Sequence, residues 1–293
     1  MGLKVQQNFN WEITKRKITM FIPNFNRKEL VEFGIQNLIT HLPKEDRIII
    51  IGNDLCHQDF SHLEKYGVYY FSLENGRDKP RNSAFIRNYA IKRCQSQMFF
   101  QKDPEIIVNG DFLKRASELG KGWKAGWVLN FPKGPTQDIL QNGIRETIPF
   151  LMEHCLKPQI QKEFEYRDFG GGLSQVLMGL KNKCDANVLK QQILSGKHNL
   201  SNWLSYALGI ETKVLQEIRG YDEDFTSYGY EDSDMICRLM ALGYSISPDH
   251  ACTSIHLHHP STRDLHLHEM KDIFQNKDPN QVVRNPEKWG EGE

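Results

Sequence analysis

Apolar residues in the first hundred positions fall into short continuous runs, separated by stretches of mixed character. Ile18-Thr19-Met20-Phe21-Ile22 is one such run, rich in β-branched members and stopped by Pro23-Asn24. Residues 28–40 then place Leu30, Val31, Phe33, Gly34 and Leu38 near helical spacing, and Pro43 closes the region. The pattern predicts a buried strand, a loop and an amphipathic helix. Arg47-Ile48-Ile49-Ile50-Ile51 is apolar after its first residue and ends at Gly52-Asn53-Asp54. A run without polar alternation suits a parallel strand covered on both faces. Val68-Tyr69-Tyr70-Phe71 predicts a third strand, and residues 83–93, with Ala84, Ile86, Ala90 and Ile91, predict a second helix. Met98-Phe99-Phe100 predicts a fourth strand, running into Gln101-Lys102-Asp103-Pro104-Glu105. Strands alternating with helices imply an α/β fold with a mostly parallel central sheet and right-handed crossovers. Ligands of such sheets lie at the carboxyl ends of the strands.

The pattern changes after residue 111. Residues 137–155 and 173–194 read as amphipathic helices on either side of Gly170-Gly171-Gly172, which predicts a helical insertion at the sheet edge. Strong signals return at the acidic turn Gly220-Tyr221-Asp222-Glu223-Asp224-Phe225. Tyr228-Gly229-Tyr230-Glu231-Asp232 leads into a helix carrying Met235, Leu239 and Leu242, with Gly243 as its stop. Residues 244–247 and 251–257 read as two strands separated by Pro248-Asp249, and the polar tail from His266 is expected to pack over the surface.

Charge narrows the functional classes. Lys+Arg and Asp+Glu both number 37, so the chain lacks the basic excess of a nucleic-acid binder. No apolar run approaches the roughly 20 residues of a membrane span, and the first run is too short for a signal sequence. The expectation is a cytoplasmic protein without a transmembrane segment. Its six cysteines are scattered with no C-x-x-C pair, which argues for reduced thiols over a zinc ribbon.

Three constellations could carry chemistry. Glu231-Asp232 opens a helix, where free N–H groups and the helix dipole stabilise a carboxylate. The pair serves either as an N-cap or as a general base with an orienting neighbour. Asp103 ends an apolar strand with Glu105 two residues on, an oxygen-rich arrangement suited to Mg2+ or Mn2+. His256-Leu257-His258-His259 contains H-x-H, which sets two imidazoles on one face of a strand.

The order of these motifs resembles the family 2 glycosyltransferases of GT-A fold. It runs from Ile22-Pro23-Asn24-Phe25-Asn26-Arg27 through Asn53-Asp54, Arg87-Asn88, Asp103 and Gly220-Tyr221-Asp222-Glu223 to Gly229-Tyr230-Glu231-Asp232-Ser233-Asp234 and Arg238-Leu239. The stretch from Trp203 to His259 also resembles the C-terminal module of β-1,4-galactosyltransferases and chondroitin-type polymerases. The resemblance implies a Rossmann-like GT-A domain with a nucleotide-binding half over residues 17–111, a helical insertion over 112–200, an acceptor and catalytic half over 201–262 and a tail over 263–293. It implies a UDP-sugar donor, a saccharide or glycolipid acceptor and Mn2+ or Mg2+, with a role in surface polysaccharide synthesis and peripheral contact with a membrane.

The resemblance also implies residue roles. Pro23 and Asn26 would wrap base and ribose, Asn53 and Asp54 would meet uracil, and Arg87 would lie near the diphosphate. Asp103 would be the second acid of the D-x-D signature and a metal ligand, completed by His256 or His259. Gln101 then stands where the first acid is expected, with Lys102 bringing a positive charge close to the metal. Asp232 would be the general base, with Glu231 beside it, and Trp203, Tyr228 or Tyr230 could stack on sugars. The rival readings are a catalytically inactive nucleotide-sugar-binding module and a metallohydrolase built on His256-x-His258. The latter lacks a further ligand at Pro260-Ser261, and nucleotidyl transfer lacks a glycine-rich loop after the first strand.

Overall fold

The computed structural model describes residues 4–54, 58–74, 83–108, 114, 122–130, 166–167, 186–195, 207–259 and 266–291. Its strands are β1 (Lys4–Gln7), β2 (Ile18–Asn24), β3 (Arg47–Asp54), β4 (Val68–Glu74), β5 (Met98–Lys102), β6 (Ile106–Val108), β7 (Gly122–Asn130), β8 (Tyr166–Arg167), β9 (Ala207–Glu211) and β10 (Ser245–His256). Its α-helices are α1 (Lys28–His41), α2 (Ser83–Arg93), α3 (Ala186–Leu194), α4 (Thr212–Glu217), α5 (Glu231–Ala241) and α6 (Leu267–Asn276).

The larger sheet has the order β1-β4-β3-β2-β5-β9. Its four central strands run parallel, and β1 and β9 are antiparallel at the edges. Every residue of β2 and β3 is buried, as their unbroken apolar runs require of strands covered on both faces. Helix α1 turns Val31, Phe33, Ile35 and Leu38 inward. It also buries Asn37, whose amide donates to Val108 O at 2.9 Å and accepts from Val108 N at 3.0 Å. That side chain extends the ladder of β6 and fixes the smaller sheet, of order β6-β10-β7-β8, against the larger.

The structure departs from the sequence reading in three places. The two strands expected over 244–257 are one strand, β10, parallel to β7, with a register shift between Pro248 and Thr253. Proline interrupts the apolar run in sequence, but a bulge accommodates it in space. Within the expected helical insertion, β7, β8 and α3 are observed; the helix expected over 137–155 lies outside the described residues. The tail, expected as a surface cover, is integral to the core. Met270, Phe274, Asn285 and Trp289 are all buried. Asn285 Nδ2 donates to Arg219 O at 2.7 Å and Asn285 Oδ1 accepts from Glu223 N at 2.9 Å, so one amide braces the whole 219–223 turn. Lys92 and Arg93 of α2 hold Trp289 O and Gly290 O, each at 2.9 Å. Gly290 has φ +63, and a Cβ there would lie 2.9 Å from Asn88 O. Among the described residues, no helix is long and apolar enough to cross a membrane.

Candidate active site

The carboxyl ends of β2, β3 and β4 are joined by a network of side-chain amides. Asn24 Nδ2 donates to Asn53 Oδ1 at 2.6 Å and to Gln58 Oε1 at 2.8 Å. Asn53 Nδ2 donates to Gln58 O at 2.9 Å and to Ser72 Oγ at 3.1 Å, and Gln58 Nε2 reaches Asn26 Oδ1 at 2.7 Å. Asn26 adopts a left-handed backbone with φ 60, which asparagine tolerates better than most residues. The bend lets Arg27 N bond to Asn24 Oδ1 at 2.9 Å as α1 begins. Pro23, Asn53 and Asp54 are buried at the same strand ends.

Beneath the adjoining ends lies Arg87, 2% exposed. Its Nη2 is 3.5 Å from Asp103 Oδ1 and its Nη1 is 3.5 Å from Glu231 Oε1. The guanidinium sits 5.1 Å from the centre of the Tyr221 ring, and the Tyr221 hydroxyl donates to Gln101 Oε1 at 3.2 Å. Burial alone would push the arginine down, but Asp232, Tyr221, Asp103 and Glu231 together hold it above its ordinary value. The Tyr221 phenol is raised by burial and by Asp232. Asn88 holds this ring from behind, accepting from Tyr221 N and donating to Tyr221 O, both at 2.7 Å.

Helix α5 opens beside this cation. Gly229, at φ 120, and Tyr230, at φ 65, make a turn that no regular helix entry would need. The turn lets Gly229 N donate to Glu231 Oε2 at 2.7 Å. Glu231, Asp232 and Asp234 all fall in the first helical turn, where the dipole favours negative charge. Arg238 clamps Asp234 at 2.7 Å one turn on.

The third constellation follows from strand pairing. In the antiparallel register of β10 with β6, His256 lies opposite Ile106, and Leu257 N donates to Glu105 O at 3.0 Å. Glu105 Oε1 therefore meets His259 Nε2 at 2.8 Å and His256 Nε2 at 3.9 Å. Ligand atoms of Glu105, His256 and His259 all lie within 4.8 Å of one another. Burial would raise the Glu105 carboxyl, but the hydrogen bond to His259 and the charges of Arg27, His259 and His256 hold it well below the usual range. Its second oxygen, Oε2, is buried and has no hydrogen-bond partner among the described residues. An oxygen donor without a partner beside two imidazoles fits a divalent cation.

The Lys102 ammonium is held by the backbone of the turn that carries Glu105. It is fully buried, and its Nζ donates to Asp103 O at 2.9 Å and to Pro104 O at 3.3 Å. Burial pushes this ammonium down to about 7, against the pull of Glu105 and Asp103. Gly34 of α1 makes room for it, since a Cβ there would lie 2.7 Å from Lys102 Nζ and 2.8 Å from Pro104 O. Gly34→Ala is expected to destabilise the fold by about 1–3 kcal/mol through overpacking. Urea denaturation measures this, and an unchanged midpoint would show that the 103–105 turn yields freely.

The structure thus brings Asp103, Arg87, Glu231 and Asp232 into one charged cluster, and His256 and His259 onto Glu105. Asp103 faces Arg87, while the carboxylate that meets the histidines is Glu105. His258 is exposed, just beyond the end of β10 at His256. The pair that converges is spaced i, i+3, unlike the H-x-H pair of an extended strand. Tyr230 stacks on Phe274 at 5.4 Å and so serves packing, and Trp203 lies outside the described residues. Sequence reasoning assigned no site role to Arg27, Gln58 or Tyr221. The sequence pairs Glu105 with Asp103 as oxygen donors for a metal; in the structure Glu105 meets the histidines, and Asp103 faces Arg87.

Residues 200–260 match a family model described as the N-terminal domain of galactosyltransferase. That stretch contains Glu231, Asp232, His256 and His259. No curated protein matches the chain. Among solved structures, S. aureus TarS 1–349 in complex with UDP aligns with a TM-score of 0.50 at 15% identity, covering 83% of this chain and 61% of that one. The mannosyltransferase PcManGT from Pyrobaculum calidifontis, in complex with GDP-Man and Mn2+, aligns with a TM-score of 0.48 at 11% identity, covering 86% of this chain and 59% of that one. The chain therefore spans about three-fifths of the length of these solved proteins. The likeness to TarS shows the fold expected from the sequence, the GT-A arrangement of glycosyltransferases with a mostly parallel central sheet.

Proposed function

We propose that the chain is a metal-dependent, inverting glycosyltransferase that moves a hexose from a UDP-sugar to a saccharide or glycolipid acceptor. One observation carries this reading. The Glu105-His256-His259 triad and the Glu231-Asp232 pair lie at one end of the sheet, linked through Arg87 and the short 103–105 turn. The galactosyltransferase match over 200–260 supports a galactose or N-acetylgalactosamine donor and the reading of this stretch as a galactosyltransferase-type module. Surface polysaccharide synthesis in the cytoplasm, in peripheral contact with a membrane, is the setting we propose.

In this reading the acidic signature is Asp103-Pro104-Glu105. Glu105, His256 and His259 hold the metal, and Asp103 serves the ribose or metal-bound water. The two imidazoles favour Mn2+ over Mg2+, which prefers oxygen ligands. Bound there, the metal would neutralise charge on the departing nucleoside diphosphate. Pro23, Asn26, Asn53 and Asp54 frame the base and ribose through the amide network, with Gln101 and Arg87 on the diphosphate side. Asp232 takes the proton of the acceptor hydroxyl, and Glu231 orients that hydroxyl. The freed oxygen attacks the anomeric carbon as the bond to the diphosphate breaks, releasing UDP with inversion.

The shared fold with a UDP-bound protein makes UDP the first nucleotide to test. Titration calorimetry is expected to show that Mn2+ tightens UDP binding by roughly 5–150-fold, a typical coupling between ligands. Glu105→Ala should remove that enhancement. UDP binding unaffected by Mn2+ would overturn the metal assignment, and the absence of UDP binding in both conditions would overturn the donor assignment.

A further inference from the structure

Arg27 occupies the same carboxylate oxygen as the histidines. Its Nη1 lies 2.8 Å from Glu105 Oε1, and His259 Nε2 lies 2.8 Å from that oxygen on another side. Arginine keeps its proton at any pH the protein meets. The backbone of Arg27 is fixed: its N–H bonds to Asn24 Oδ1 at 2.9 Å, and its carbonyl accepts from Val31 N at 3.0 Å. Its side chain, 22% exposed against 5% for Glu105, has room to leave. A divalent cation held by Glu105, His256 and His259 would therefore sit within a few ångströms of a permanent positive charge. In a site this buried such a repulsion is weakly screened. The two cations share the carboxylate at a cost that an anion lying between them, as a nucleoside diphosphate would, removes.

We propose that Arg27 is a built-in competitor for the metal position, which makes metal binding conditional on the nucleotide. The inference rests on the triad being the metal site. It assigns the first loop after β2 a second duty beyond framing the base. Metal arriving alone, whether it takes Oε1 or the unpartnered Oε2, shares the carboxylate with the Arg27 guanidinium and must either displace it or bear its repulsion. Metal arriving with the diphosphate meets an anion that satisfies both cations. Linkage is reciprocal, so the factor by which UDP tightens Mn2+ equals the factor by which Mn2+ tightens UDP.

The test measures Mn2+ binding to the intact protein by electron paramagnetic resonance of free Mn2+, with and without UDP. Arg27→Met is expected to bind Mn2+ alone roughly tenfold or more tightly than the wild type, because the competing charge is gone. UDP should then enhance Mn2+ binding less in the variant than in the wild type. Arg27→Lys, which keeps the charge, should stay close to the wild type, and it decides the matter if the methionine variant proves unfolded by circular dichroism. The inference is overturned if Arg27→Met binds Mn2+ alone no more tightly than the wild type, since Arg27 then merely orients the ligand carboxylate. It is equally overturned if Arg27→Lys binds Mn2+ alone markedly more tightly than the wild type. If neither the wild type nor the variants bind Mn2+ with or without UDP, the metal site itself fails, and this inference with it.

Discussion

Replacing Arg87 by methionine is expected to destabilise the fold by about 3–5 kcal/mol, the usual consequence of removing one partner from a buried ionic cluster. The guanidinium is 2% exposed and lies among Asp103, Glu231 and Asp232, themselves 9%, 1% and 3% exposed. Methionine matches much of its volume but none of its charge, so three carboxylates would remain inside the protein without their central counter-ion. Tyr221 would lose its partner as well, since its ring lies against that guanidinium. Urea denaturation at neutral pH measures the effect. A loss below about 1 kcal/mol, the range of a surface ion pair, would show that the carboxylates draw their stabilisation from elsewhere. The position also bears on binding. A guanidinium this buried reaches a diphosphate only through movement of the residues around it.

The second large effect concerns turnover. Asp232→Asn is expected to lower sugar transfer by roughly 10²–10⁴-fold, the contribution of a general base, while leaving UDP affinity within about threefold. Asparagine keeps the shape of the side chain in the first turn of α5 and cannot accept the acceptor's proton. Product formation from UDP-sugars and calorimetry with UDP give the two readouts. Transfer retained within about tenfold would move the base to another group, Glu231 being the next to test. A wild-type protein that binds UDP-sugars without transferring from any of them would instead be a binding module.

The parallel core was legible because its signal is local. Ile48 to Ile51 carry no polar residue, and a strand of that kind has one place in an α/β fold, between two neighbours. The edge strands were not legible. Lys4–Gln7 is short and largely exposed, and Ala207–Glu211 contains a glycine, so neither shows alternation or a continuous apolar run. β10 was split at Pro248 because proline reads as a stop, whereas in the sheet a register shift absorbs it. The acid pair at the head of α5 could be read from its setting, after Tyr228-Gly229-Tyr230. Its counter-ion could not, since Arg87 of α2 meets Glu231 only once the chain has folded. The histidine partner was likewise hidden. Glu105 and His259 are brought together by the register of β6 against β10, and neither residue's neighbours in sequence encode that register.

The brace around the 219–223 turn has a consequence for how the protein is made. Lys92 and Trp289 are in contact across 197 residues of sequence, and Asn285 holds a turn already laid down well before it. During synthesis every residue of the triad and of the carboxylate cluster leaves the ribosome before Asn285 and Trp289 do. Nascent chains fold from their amino-terminal side as they emerge, so the sheet can form with its Tyr221 turn held by Asn88 and not yet by Asn285. Competence therefore waits until residues 285–290 have emerged. A product interrupted after residue 262 would carry every chemical group of the site and still lack the element that holds them in place.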